Sequence, residues 1–189
     1  PYFADYCGNA ASIHKAGEDA REAIDIAKKS IAEIINASPM DIYFTSSATE
    51  ANNLITASQG FKTLISTDSE HSSLSSGLKS RNYWLLNIKN DGTLDLDKLE
   101  VLLANNPGAC TLVSIIAANN EIGTIHNLKK IGELCKKYEA RFHTDACQAL
   151  CKVKIDVEKM NIFAMTLSAH KIYGPKGIGV LYIRDSGII

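Results

Sequence analysis

"CTLVSIIAANNEIGTIHNLKKIGELCKKYEARFHTDA", residues 110–146, holds the pattern that decides the fold. Residues 110–117 form a continuous apolar run rich in β-branched side chains, the signature of a strand buried on both faces. Residues 127–140 read as a helix, and 141–146 as a second strand. A strand, a helix and a strand in succession make the unit of a parallel sheet with right-handed crossovers.

Working outward, the alternation continues in both directions. In 17–36, Ala20, Ala23, Ile24, Ala27, Ile31, Ile34 and Ile35 recur at helical spacing between charges, which predicts an amphipathic helix. Strands are expected at 41–47, 62–67, 82–88, 162–168 and 177–183. Helices are expected at 48–58, around 74–78 and at 95–105. The fold class is α/β: a mostly parallel sheet with helices on both faces. The loop "AHKIYGPK" is too short for a crossover helix, so one strand near the C-terminus, 177–183, is expected to run antiparallel to its chain neighbour. No repeat, low-complexity tract or linker interrupts 1–189, which reads as one domain. The chain stops just after a strand, at "RDSGII", an unusual place for a domain to end.

Bulk properties exclude some partners. The chain has 189 residues, 46% hydrophobic and 22% charged, with a net charge of -1. These are ordinary values for a globular protein with one core, and nothing in them calls for nucleic acid or an anionic membrane. No apolar stretch approaches the ~20 residues of a membrane span, and "PYFADYCGNA" has no signal-peptide pattern. The five cysteines (Cys7, Cys110, Cys135, Cys147 and Cys151) are odd in number and form no CxxC pair. Free thiols in a reducing compartment fit them best, with the cytoplasm as the default address. A cleaved organelle-targeting peptide would leave no trace.

Ligands of open α/β sheets sit beyond the carboxyl ends of the strands, so the residues following each strand locate a candidate site. They are Ser46-Ser47-Ala48-Thr49-Glu50, then "TDSEHSS" with His71, then Asn119-Asn120-Glu121-Ile122-Gly123. "HTDACQ" follows with Asp145 and Gln148, and finally Ser168-Ala169-His170-Lys171. Each has a plain alternative. Ser47 and Thr49 fit a helix N-cap as well as a phosphate site. His71 alone fits a surface or core position, and Asn119-Asn120 with Gly123 fits a turn. Asp145 directly follows an apolar strand, where a carboxylate is costly unless solvated or met by a cation. Lys171, held near apolar walls, would become a nucleophile toward a carbonyl. One ligand answers all of them: a phosphate for the Ala48-Thr49 helix start, a protonated ring nitrogen for Asp145, a flat ring under His71 and an aldehyde for Lys171. That ligand is pyridoxal 5'-phosphate.

"SATEANN", "EHSS", "NNEIG", "HTDACQ" and "SAHKIYGPKGIG", in this order, resemble the cysteine desulfurases. These belong to the class V aminotransferase group, pyridoxal phosphate enzymes of the aspartate aminotransferase fold type (fold type I). "GNAASIHKAG" (8–17) is similar to a stretch near the start of the family's large domain, with Ala10 where proline is usual. The resemblance implies that Lys171 is the Schiff-base lysine and later carries the substrate's α-proton. It implies that Asp145 holds the pyridine nitrogen protonated, that Gln148 bonds the ring's phenolic oxygen, and that His71 stacks on the ring and assists proton transfer. Thr49, the amide of Ala48, Ser168 and His170 would hold the phosphate. Asn120 would lie beside the cofactor oxygen and the substrate carboxylate.

Two departures from the family pattern matter. Cys147 stands where threonine is common. The family's N-terminal arm and small domain, with its sulfur-accepting cysteine, substrate-gripping arginine and a threonine reaching a neighbour's phosphate, have no counterpart in 1–189. The expectation is therefore the large-domain portion of an enzyme that converts L-cysteine to L-alanine and passes on persulfide sulfur. A sulfur-acceptor or scaffold protein of an iron–sulfur or thiolation pathway would be its partner, and a homodimer its assembly. The chain alone is expected to show negligible turnover. A non-catalytic remnant, and a selenocysteine lyase or other class V enzyme, stand as alternatives. Apolar surface exposed at missing partners is expected to promote association.

Overall fold

The computed structural model describes residues 7–78, 81 and 83–188. The reading of residues 1–6 as free of a signal pattern, and Asn82 at the head of an expected strand, lie outside them. In chain order the elements are α1 (Lys15–Ile35), β1 (Ile42–Thr45), α2 (Ala48–Ala57), β2 (Thr63–Thr67), α3 (Ser72–Leu78) and β3 (Tyr83–Leu86). They continue with α4 (Leu96–Asn105), β4 (Thr111–Ser114), α5 (Leu128–Lys137), β5 (Arg141–Asp145), β6 (Ala164–Ser168) and β7 (Gly179–Ile183).

The seven strands form one sheet in the order β1-β7-β6-β5-β4-β2-β3. β3, β2, β4, β5 and β6 pair in parallel. β7 runs antiparallel to both β6 and β1, so the single reversal expected from the short connection is present. Strand alternation divides the core into two layers. Ile65, Val113, Phe142, Met165 and Tyr182 face α1, α4 and α5 through Ile35, Leu99, Leu103 and Ile131. Leu64, Leu112, Ala164 and Leu181 face α2 and α3 through Ala51, Ile55, Leu74 and Leu78. Helices thus cover both faces, and β4 and β6 are buried along their whole length.

Several boundaries differ from the sequence reading, and three of the differences position the chain around the sheet. β4 ends at Ser114 rather than at 117, because beyond it the chain leaves β2. Its amides still reach β5, from Ile115 to the His143 carbonyl (3.1 Å) and from Ala117 to that of Asp145 (2.8 Å). On the vacated side the Ile116 amide donates to Glu70 Oε1 (2.9 Å), so a carboxylate replaces the missing strand. α5 stops at Lys137, and Glu139 takes a left-handed φ of 57°. α1 starts at Lys15, with the His14 imidazole accepting from the Gly17 amide as its cap. Only its C-terminal part is in the core: Ala32 and Ile35 are buried, whereas Ile24 and Ile34 of the expected apolar face are exposed.

Candidate functional site

At the carboxyl ends of the parallel strands lies a cleft of about 330 Å³. Ala48, Thr49, His71, Asn120, Asp145, Gln148, Ser168, His170 and Lys171 all line it. The topology explains the gathering, since each residue stands just beyond or on the last turn of a strand whose neighbours end on the same side.

One wall is the start of α2. Ser47 caps it by accepting from the Glu50 amide (3.2 Å), and the Glu50 carboxylate returns to the Ser46 amide and hydroxyl (both 2.6 Å). This is a capping box displaced by one residue. The N-cap reading of Ser47 is therefore correct, and it coexists with a helix N-terminus opening on the cleft. A glycine sets how closely this wall approaches the sheet. A Cβ on Gly179 of β7 would lie 2.3 Å from the Ser47 carbonyl carbon and 2.6 Å from the Ala48 nitrogen. Without a side chain there, the Ala48 and Thr49 end of α2 reaches the loop that carries Ser168 and His170.

That loop begins as a 3-10 turn, Ala169–Ile172, continuing directly from β6. Ser168 is buried, and its hydroxyl meets His170 Nδ1 at 3.1 Å. The Ala169 amide donates to the Ile178 carbonyl (3.1 Å), closing the loop at its base. Tyr173 then turns the chain with a φ of 65°. Lys171 is exposed within this closed loop. The polar residues interrupting two buried strands are thus held by the ladder on either side.

The floor is Asp145, only 4% exposed at the end of β5. Its Oδ1 accepts from the Cys147 amide (3.0 Å) and its Oδ2 from Asn52 Nδ2 (2.9 Å). Among the described residues no salt bridge reaches it. A buried carboxylate with hydrogen-bond donors but no ion-pair partner suits a cationic ligand group. Beneath it lies a buried polar layer. The His143 ring is flanked by Ser114 Oγ (2.8 Å) and Thr166 Oγ1 (3.1 Å), and burial pushes its pKa below the ordinary imidazole range.

The remaining walls vary in rigidity. Asn119 organises a turn, accepting from the Glu121 and Ile122 amides and donating to the Ser69 carbonyl, which leaves Asn120 exposed to the cleft. The turn reading thus holds for the pair: Asn119 ties the turn together, and Asn120 lies within it while lining the cleft. Gln148 is half-buried, with Oε1 3.2 Å from Lys152 Nζ. His71 is exposed on the rim, its Nδ1 turned to Ser73 (2.8 Å to Oγ, 3.2 Å to the amide). Burial, with Asp145 next, pushes the Cys147 thiol strongly up, so it stays protonated. Glu70 lies behind His71. The residue is half-buried, but its Oε2 is out of water with no partner among the described residues, and burial pushes its pKa up to about 8.

The donor set fits pyridoxal phosphate: a carboxylate floor, a free amine, an imidazole on the rim and a helix N-terminus beside a hydroxyl. Sequence reasoning missed Ser73, Lys176 and Ile178, which also line the cleft, and Asn52, which supports its floor. The signal for Asn52 was an amide beside Ala51 and three residues before Ile55 on the buried face of α2, where a polar group needs partners.

Comparison with known proteins points the same way. The family profile described as Aminotransferase class-V matches residues 1–188. The mitosomal cysteine desulfurase of Trachipleistophora hominis is 39% identical over 97% of this chain and 44% of its own length. Cysteine desulfurase IscS of Neisseria gonorrhoeae is 40% identical over 97% of this chain and 48% of its own. The solved structure of SspA in complex with cysteine superposes with a TM-score of 0.88 at 35% identity, covering 98% of this chain and 56% of that one. The chain thus spans about half the length of the relatives it matches.

Proposed function

The chain belongs to the class V aminotransferase family, and on that premise we propose that residues 1–189 form the large, cofactor-binding domain of a pyridoxal phosphate-dependent cysteine desulfurase. The observation that carries this reading is the buried Asp145 carboxylate on the floor of a cleft whose walls include the Lys171 amine and the start of α2. L-cysteine would be the substrate, L-alanine and protein-bound persulfide sulfur the products. The kinship with relatives named cysteine desulfurases supports this choice over a selenocysteine lyase.

When bound, pyridoxal phosphate supplies an electron sink that makes the substrate's α-hydrogen acidic. The protein's residues do the rest. Lys171 Nζ would hold the aldehyde end of the cofactor and would take the substrate's α-proton. Asp145 would accept the hydrogen bond of the pyridine nitrogen. His71 would cover the ring face, and Gln148 would donate to the phenolic oxygen. The Ala48 amide and the Thr49, Ser168 and His170 side chains would hold the phosphate, with the α2 dipole favouring its charge. Asn120 would meet the substrate carboxylate.

A second reading, cofactor binding without turnover by these residues alone, is favoured by Cys147. It is the one cysteine among the residues lining the cleft, and its thiol is held protonated, a poor sulfur acceptor. Alanine and sulfide release measured on the chain separates the readings, and turnover close to that of a desulfurase would exclude the second. The assembly belongs to the same proposal: a homodimer in the cytoplasm, delivering sulfur to an acceptor or scaffold protein. The unpaired cysteines support a reducing compartment.

A further inference from the structure

Asn52 is completely buried in α2 and spends both of its amide protons. One goes to Asp145 Oδ2 (2.9 Å) and the other to Ser73 Oγ (3.0 Å). Its buried Oδ1 has no partner among the described residues. The reverse orientation would aim that oxygen at a carboxylate, so the orphan is the cost of two donations in opposite directions. Ser73, at the start of α3, passes the second arm on. Its hydroxyl accepts from Asn52, which leaves its own proton for His71 Nδ1 at 2.8 Å. The Ser73 amide, which can only donate, points at the same nitrogen (3.2 Å). His71 Nδ1 is therefore an acceptor, and the ring proton sits on Nε2.

We infer that Asn52 and Ser73 are positioning residues that tie the Asp145 floor to the His71 rim, fixing His71 as the Nε2–H tautomer so that its remaining nitrogen enters the site as a donor. Two of these hydrogen bonds start at Asn52 and the one from the Ser73 hydroxyl is oriented by it, while the Ser73 amide adds a backbone donor to the same nitrogen. An amide carries no transferable proton, so the chain sets geometry and conducts no charge. Its purpose rests on the cofactor reading above, since it places the group under the ring nitrogen and the group over the ring face in fixed relation. The fully buried link makes the two sides of the cleft one unit, although their residues are 74 positions apart in sequence.

The test uses apo protein with ¹⁵N-labelled histidine near pH 8.5, about two units above the ordinary imidazole pKa. Long-range ¹H–¹⁵N spectra should give His71 a protonated Nε2 and a hydrogen-bonded Nδ1. Ser73→Ala and Asn52→Leu should each move Nδ1 toward the position of an unbonded ring nitrogen, and Ser73→Thr should restore it. Pyridoxal phosphate affinity should fall at least about tenfold in Asn52→Leu, the effect of one lost hydrogen bond to a charged group. Should Asn52→Leu fail to fold by circular dichroism, Ser73→Ala and its threonine rescue carry the test. A proton on Nδ1 in the wild type, or an Nδ1 signal unmoved by removing Ser73's hydroxyl, overturns the inference. The expected His71 spectra in a protein that binds no pyridoxal phosphate support this arrangement and remove the cofactor reading. Cofactor binding with unmoved spectra and equal affinity in Asn52→Leu does the reverse.

Discussion

Replacing Gly179 by alanine should open the cleft from behind. The added Cβ would lie 2.3 Å from the Ser47 carbonyl carbon, about 1 Å inside the 3.4 Å limit of ordinary contact. The three opposing atoms, the Ser47 carbonyl carbon and oxygen and the Ala48 nitrogen, are all backbone, so no side-chain rotation relieves the clash, and the start of α2 must move by roughly that distance. Overpacking of this kind costs about 1–3 kcal/mol. At about 2–4 °C per kcal/mol for a chain of this size, the Tm should drop by roughly 2–12 °C. The same shift withdraws the Ala48 and Thr49 end of α2 from Ser168 and His170. Pyridoxal phosphate affinity should therefore fall at least about tenfold, as for one lost charge-assisted hydrogen bond. Gly132→Ala is the control: its Cβ would lie 1.8 Å from the Met160 carbonyl oxygen, and Gly132 does not line the cleft. It should lower stability at least as much while the folded protein binds the cofactor normally. Thermal melts and absorbance titrations on both variants decide the matter. Wild-type affinity in Gly179→Ala, or equal affinity losses in both variants, would refute the steric reasoning.

Other expectations concern the groups around the cleft. Glu70 is raised to about 8 by burial, so the folded state holds a proton that the unfolded chain releases near its ordinary carboxyl value. Its contribution to stability is full below about pH 4.5 and is lost as pH rises through 8. His143 and His126, both shifted down by burial, work in the opposite sense and overlap the lower part of this window, so the difference in urea midpoints between wild type and Glu70→Gln from about pH 6.5 to 8 isolates Glu70. Glu70→Gln should flatten that slope; an unchanged slope would assign it elsewhere. Cys147 should react far more slowly with an alkylating reagent near pH 7 than exposed Cys151, and mass spectrometry after limited labelling would show it. Preferential labelling of Cys147 would reopen its candidacy as sulfur acceptor.

Much of the fold was legible because its signals are local. The apolar, β-branched-rich run at 110–117 and the short connection before β7 each dictate an element or a direction from a few neighbouring residues. Strand order was not legible, since the placement of β1 beside β7 and of β2 beside β4 depends on pairing across long separations. Nor was the fate of α1. Periodicity assigns Ile24 and Ile34 to an apolar face, whereas the sheet is reached only by the last turns, at Ala32 and Ile35. That the nine candidate residues would gather was legible because strand ends in this fold class converge, and they line one cleft. Asn52 and Ser73 escaped because each acts through a partner on another element. A buried amide in a helix announces that it needs partners but not which ones.

The cofactor reading stands or falls with one amine. Intact mass of the chain after incubation with pyridoxal phosphate and borohydride reduction should rise by one reduced cofactor, attached at Lys171. Lys171→Ala should gain nothing. No increment in the wild type, or the same increment in Lys171→Ala, would contradict the assignment of this cleft.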